Sequence, residues 1–313
     1  MLPYLLGMMM GCSSKYAELG PIGPDELWAP LPVRHTTVNG VDVAYVDSET
    51  VSDEPPIVLV HGLSSYLGFW EYQIPALAPT RRVIALDLPG YGSSGRPDAP
   101  YTPPWYAEQV VGLLDALGVQ RADWMGHSMG GQIALTAAIE HPDRVGRLIL
   151  SAPAGFESFH PGAAAFMKGY WTEERALGAT EPEVRTNFVD LTFANVDDGV
   201  ERLIEERVRL GQHPAFRGTS VAVSRSIAGM VDHPVYDRLG DVEAKTLVIY
   251  GTRDRMIPNP IFTGGSTRTV AERGVTRLPH AELILLDGGG HTVHHDLPTR
   301  FNAEVLRFLE SAR

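Results

Sequence analysis

Several short runs of aliphatic and β-branched residues, each of strand length and each closing on a turn, set the tightest limit on what this chain can fold into. Ile57-Val58-Leu59-Val60, Val83-Ile84-Ala85-Leu86, residues 145–150, Thr246-Leu247-Val248-Ile249-Tyr250-Gly251 and Leu283-Ile284-Leu285-Leu286 carry few polar side chains. Such runs suit strands covered on both faces. Helical patterns fall between them. Pro104 opens one with Val110, Leu113, Leu114 and Leu117 on a single stripe, ending at Gly118, and another carries Ile133, Ala134, Ala137 and Ala138. A last helix from about residue 298 turns Phe301, Val305, Phe308 and Leu309 inward. Strands alternating with helices at this spacing make right-handed βαβ units, hence an α/β fold with a mostly parallel sheet and helices on both faces. An antiparallel pair opens it, because residues 33–38 and 41–46 alternate around Asn39-Gly40.

Two stretches break the rhythm. Residues 1–32 hold Pro21, Pro24, Pro30 and Pro32 in their second half, which reads as an extended tether. Residues 154–234 lack a strong buried-strand run, and their clearest pattern is a helix over 197–210 with Val200, Leu203, Ile204 and Val208 on one face and a Glu205–Arg209 pair on the other. The expected division is therefore a tail (1–32), a core (33–153 and 235–313) and a mostly helical insertion (154–234) that interrupts the core.

The chemistry-bearing stretch is Gly126-His127-Ser128-Met129-Gly130, a G-x-S-x-G lying between an apolar strand and a helix. A serine on such a turn has its hydroxyl pushed clear of the backbone, and the glycines keep the crowded flanks free of side chains. The Met129 N–H and the positive helix end then face any oxyanion that forms at the serine. Ser128 is a candidate nucleophile.

Four motifs in sequence order make the chain from residue 33 onward resemble an α/β-hydrolase: His61-Gly62 after the third strand, Asp87-Leu88-Pro89-Gly90-Tyr91-Gly92 after the fourth, the Ser128 turn after the fifth, and Gly290-His291 after the last. The resemblance implies the α/β-hydrolase fold with the insertion as a helical cap. It also implies His291 as the base and Asp254, in Gly251-Thr252-Arg253-Asp254-Arg255-Met256-Ile257-Pro258, as the acid. The backbone N–H of Leu63 would be the second oxyanion donor beside that of Met129. A serine needs a base within hydrogen-bond reach and a third group to orient that base, and the order Ser, Asp, His fits. His61 is expected to brace its loop, His127 to be a packed neighbour of the nucleophile, and Asp87 to hold a turn. His291, His294 and His295 form a His-x-x-His-His cluster, but no further ligand stands at a spacing that completes a metal site, so no metal and no cofactor is expected.

Ser128 argues against the haloalkane dehalogenase and epoxide hydrolase branches, which use a carboxylate nucleophile. Relatives that cleave carbon–carbon bonds in ring-fission products usually carry asparagine before the serine and tryptophan after the base, where this chain has His127 and Thr292. Gly-His-Ser-Met-Gly-Gly is most at home among carboxylesterases and monoacylglycerol-type lipases. The expectation is a serine hydrolase acting on small or lipid-like esters. The alternatives are a carbon–carbon hydrolase with the same triad and a non-catalytic binding protein.

A net charge of −12, with no stripe of Lys and Arg, excludes a protein built to wrap nucleic acid. The single cysteine, Cys12, excludes an internal disulfide. It ends the apolar stretch Leu2-Pro3-Tyr4-Leu5-Leu6-Gly7-Met8-Met9-Met10-Gly11, which resembles a bacterial lipobox, although no Lys or Arg precedes the run. Lipidation there would anchor the protein to a membrane on the periplasmic side; otherwise Cys12 is an incidental thiol on the tail of a cytoplasmic protein.

Overall fold

The computed structural model describes residues 15–259 and 261–310, so the expectation for Cys12 lies outside the described residues. One eight-stranded sheet organises them: β1 (Arg34–Val38), β2 (Val41–Asp47), β3 (Ile57–Val60), β4 (Val83–Leu86), β5 (Ala122–His127), β6 (Val145–Ser151), β7 (Thr246–Gly251) and β8 (Ala281–Leu286). Their spatial order is β1-β2-β4-β3-β5-β6-β7-β8. Only β2 runs against the rest, pairing antiparallel with both β1 and β4. Its hairpin turns through Asn39 and Gly40 at φ 50 and 80, the positive pair that a two-residue loop needs.

The helices are α1 (Gln73–Leu77), α2 (Pro103–Ala116), α3 (Met129–Glu140), α4 (Pro161–Tyr170), α5 (Glu173–Leu177), α6 (Glu181–Thr186), α7 (Asp198–Gly211), α8 (Phe216–Asp232), α9 (Thr267–Val275), α10 (Val293–Asp296) and α11 (Pro298–Glu310). Every residue of β3, β4 and β5 is buried. The two-residue period sends Val58 and Val60 into one apolar core with α2, α3 and α9, and Ile57 and Leu59 into a second with α1 and α11. β8, at the edge of the sheet, buries only Leu286 fully.

Helices α4 to α8, with a π turn at Asn187–Thr192, fill the insertion, which contains no strand. Asp197 caps α7 by accepting from the Val200 N–H at 2.9 Å, and Glu205 pairs with Arg209 at 2.7 Å on its outer face. The expectation of an extended tether without elements is corrected over 15–32 by the local turns there. That segment makes 3-10 turns at Ala17–Leu19 and Pro24–Glu26 and lies as a strap against α6 and α7. The Tyr16 hydroxyl donates to Glu201 at 2.6 Å, the Trp28 N–H to Glu206 at 3.0 Å, and Arg209 Nε to the Gly20 carbonyl at 3.0 Å. Ile22 completes a small apolar cluster with Leu210 and Phe216. Prolines forbid regular structure there but not docking. Among the described residues no helix is long and apolar enough to cross a membrane.

Candidate active site

The sheet reverses its winding between β3 and β5, and the crevice beyond their C-terminal ends is where open α/β sheets bind ligands. Ser128 stands there alone between β5 and α3, at φ 52 and ψ −116. A non-glycine residue held at such an angle costs on the order of 1–3 kcal/mol and persists only where its surroundings over-determine it. They do. A Cβ on Gly126 would lie 2.3 Å from the Gly130 carbonyl oxygen, and one on Gly130 would lie 2.1 Å from that of Val60. The elbow is therefore seated directly on the end of β3, where the loop of His61, Gly62 and Leu63 begins. This brings the stretch carrying Leu63 to the first turn of α3, whose leading N–H groups, Met129 among them, have no partner within the helix.

His291 Nε2 lies 2.9 Å from Ser128 Oγ and its Nδ1 lies 2.9 Å from Asp254 Oδ2. His291 and Asp254 are both buried. The second Asp254 oxygen accepts the N–H groups of Met256 and Ile257 at 2.8 and 3.0 Å, which fixes the carboxylate in one orientation. The acid and base loops pack without a side chain between them, since a Cβ on Gly251 would lie 2.2 Å from the Gly289 carbonyl oxygen. A carboxylate, an imidazole and a hydroxyl in this line can draw the hydroxyl proton onto the ring.

Four more histidines lie in or beside these loops, each with at least one ring nitrogen beside a polar partner, while His127 Nδ1 and His294 Nε2 are buried with no hydrogen-bond partner among the described residues. His61 Nε2 accepts the Leu88 N–H at 2.9 Å, and burial drives its pKa down to about 4, so it is neutral. His127 donates from Nε2 to the His291 carbonyl at 3.2 Å, and burial pulls it well below the usual histidine range. His294 stands 3.1 Å from Ser151 Oγ and His295 stands 2.7 Å from Glu71. Among the described residues no group of three or more His, Cys, Asp or Glu is arranged to hold a metal. Asp87 accepts from the Leu67 and Ser93 N–H groups at 2.7 Å each, and burial raises it to about 6.

The sequence reading missed three groups. Glu157 holds the Asn259 N–H at 2.8 Å and so ties the start of the insertion to the acid loop. Asp296 ties the insertion to the base loop by accepting from the Ala194 and Gly290 N–H groups at 3.0 and 2.7 Å. Arg207 lines a narrow cavity with Ser65, Tyr66, Phe69, Phe188 and Phe216, beside the Leu63 loop. Its guanidinium carbon lies 4.1 Å from the centre of the Phe216 ring, and withdrawal from solvent lowers its pKa to about 10, leaving it charged at neutral pH. No acid pairs with it among the described residues, and Ser65 Oγ on the same cavity has no partner there either. A signal for Arg207 was present, since Leu203 and Leu210 put it on the apolar side of α7. Of the aromatic residues in the insertion, Phe188 and Phe216 reach this cavity, whereas Phe166, Tyr170 and Trp171 are exposed.

Comparison with known proteins gives the same architecture. The family model for the alpha/beta hydrolase fold matches residues 55–298. A 2-hydroxymuconate semialdehyde hydrolase of Pseudomonas sp. (strain CF600) is 31% identical over 82% of this chain and 87% of its own length. The dihydrolipoyllysine-residue acetyltransferase component of the acetoin cleaving system of Pseudomonas putida is 32% identical over 81% of this chain, which spans only 63% of that protein. Among solved structures, a probable hydrolytic enzyme from Pseudomonas aeruginosa PAO1 superposes with a TM-score of 0.83 at 25% identity, covering 93% of this chain and 99% of that one.

Proposed function

The chain belongs to the α/β-hydrolase family and is a hydrolase, and from that premise we propose that it cleaves carboxylic esters, small or lipid-like, through an acyl-enzyme on Ser128. The observation that carries Ser128 as the nucleophile is the unbroken line from its Oγ through His291 to Asp254, with both links at 2.9 Å, and the choice of esters rests on the Gly-His-Ser-Met-Gly-Gly resemblance. Ser128 Oγ attacks the ester carbonyl carbon as His291 Nε2 takes its proton. Asp254 steadies the imidazolium without accepting that proton. The N–H groups of Leu63 and Met129 hold the tetrahedral oxyanion, and His291 then protonates the departing alcohol. Water repeats the sequence on the acyl-enzyme and frees the acid. Residues 154–234 act as the cap over this site and choose the substrate. A fluorophosphonate probe tests the reading. Labelling at Ser128 that disappears in Ser128→Ala, together with turnover of p-nitrophenyl esters, is expected; ester turnover that survives Ser128→Ala sinks it.

One observation favours a second reading, hydrolysis of a carbon–carbon bond in an acid-bearing substrate. The Arg207 guanidinium, without an acid paired to it among the described residues, and the unpartnered Ser65 hydroxyl share one cavity and offer donors to a carboxylate; Glu206, on the same wall, is engaged by the Tyr66 hydroxyl and the Trp28 N–H. One relative is named a 2-hydroxymuconate semialdehyde hydrolase. Assaying dienoate ketones against short-chain esters separates the two readings. For Cys12 the proposal is a lipid anchor. Palmitate incorporation that vanishes in Cys12→Ser supports it, and a wild type that takes up no palmitate removes it.

A further inference from the structure

The carboxylate of Asp296, the last residue of α10, joins two parts of the chain that lie far apart in sequence. Oδ2 accepts the Gly290 N–H at 2.7 Å, one residue before His291. The same carboxylate accepts the Ala194 N–H at 3.0 Å and the Asn195 N–H at 3.0 Å, both from the cap. On the other side of His291, the Thr292 N–H donates to the Thr192 carbonyl at 3.0 Å. The base is thus held to the cap through the residue before it and the residue after it. The contact is close enough that a Cβ on Gly290 would lie 2.8 Å from the Ala194 nitrogen and 3.1 Å from the Thr192 oxygen. The same cap stretch reaches the acid loop, because Arg255 donates to the Asp190 carbonyl at 2.9 Å.

We propose that Asp296 is a positioning residue that makes seating of cap residues 192–195 a condition for an aligned His291, so that closing the cap and assembling the catalytic line are one event. The proposal rests on the reading of Ser128, His291 and Asp254 given above. It separates two functions of the cap, since the residues that face the cavity select the substrate while this backbone stretch completes the base. A misplacement of about 1 Å at a reacting group costs on the order of a hundredfold in rate, so releasing the stretch is expected to act on turnover rather than on binding.

The test uses the full chain and two variants that attack the knot from opposite sides. Asp296→Asn weakens the acceptor from the base side, and Ala194→Pro removes a donor by a change made in the cap, with its ring set against Asp296 and Gly290. Phe193, the residue before that proline, is already extended at φ −105 and ψ 142, as a residue before proline prefers. The rate of fluorophosphonate labelling at Ser128 and the kcat and KM for a p-nitrophenyl ester are measured for both variants and for the double variant. Each single variant is expected to lower kcat and labelling rate about tenfold or more with KM nearly unchanged, and the double variant to lose no more than the worse single one. Unchanged labelling in Ala194→Pro overturns the proposal, as does a double variant whose losses multiply. If Asp296→Asn does not fold, Ala194→Pro decides alone. An unlabelled wild type overturns the Ser128 reading beneath the proposal, whereas a labelled wild type with unaffected variants overturns the proposal by itself.

Discussion

The loops at the strand ends and the cap above them are built on opposite principles. Around Ser128 the backbone approaches itself so closely that glycine is the only residue that fits at 126, 130 and 251, and both Asp254 oxygens are hydrogen-bonded. Apart from residues 190–195, the cap is held largely by side chains: Arg202 reaches Glu71 at 2.7 Å, Lys168 reaches Asp232 at 2.7 Å, and amphipathic helices bury one face each. It leaves Arg207 without an acid among the described residues and Phe166, Tyr170 and Trp171 exposed. The difference teaches where each property resides. On the proposed reading, chemistry is assigned to the tightly packed main chain at the strand ends, and selectivity to cap side chains away from the 192–195 stretch that joins the two.

That contrast is open to attack in order of expected effect. Ser128→Ala is expected to cut ester turnover by roughly 10⁴- to 10⁶-fold while thermal unfolding moves little, because the hydroxyl contributes to reaction and not to packing. Gly130→Ala pushes a methyl group against the Val60 and His61 carbonyls, at 2.1 and 2.6 Å. It is expected to destabilise the fold by about 4 kcal/mol or more, read from denaturant unfolding; a loss below about 1 kcal/mol would show that the floor is softer than argued.

His61 supplies a pH test of the same floor. Its pKa falls from 6.5 unfolded to about 4 folded, so the unfolded chain binds more protons between those values. Its contribution is complete above pH 6.5 and is lost as pH falls through 4. Asp87, raised to about 6 from 3.8, opposes it, because its contribution is present below 3.8 and fades as pH rises through 6. Comparing wild type with His61→Gln isolates the histidine. The advantage of wild type in unfolding free energy is expected to shrink by about 3 kcal/mol as pH drops from 6.5 to 4, and a constant difference would contradict the burial argument.

Smallest is the cap test. Arg207→Met is expected to raise KM for acid-bearing substrates about tenfold to a hundredfold, the range of one charge-assisted hydrogen bond, and to leave neutral esters nearly untouched. Equal losses on both classes would mean that Arg207 holds the cap together, and the division of labour would fail there.

The same division explains what could be read from the sequence. Ile57-Val58-Leu59-Val60 and Val83-Ile84-Ala85-Leu86 announce strands covered on both faces because burial leaves them no polar residue, and the glycines at 126 and 130 announce an elbow because no other residue fits. Asp254 and His291 were legible from the turns that carry them, and the fold brings both to Ser128. Asp296 was not legible. Its partners are main-chain N–H groups, one six positions away and two about a hundred, and a backbone donor leaves no trace in residue identity. Residues 15–32 were misread because proline content reports what a segment cannot form by itself and is silent on what it can lie against.

The strap bears on how this protein is best handled. Leu27 forms part of the wall of the Arg207 cavity, and Ile22 covers Leu210 and Phe216. A chain trimmed to begin at Val33, the tidy choice from the sequence, would unroof that cavity and wet the guanidinium. On the proposed reading, such a shortened chain keeps turnover at Ser128 and loses discrimination among substrates, which makes it more permissive than the chain that carries the strap.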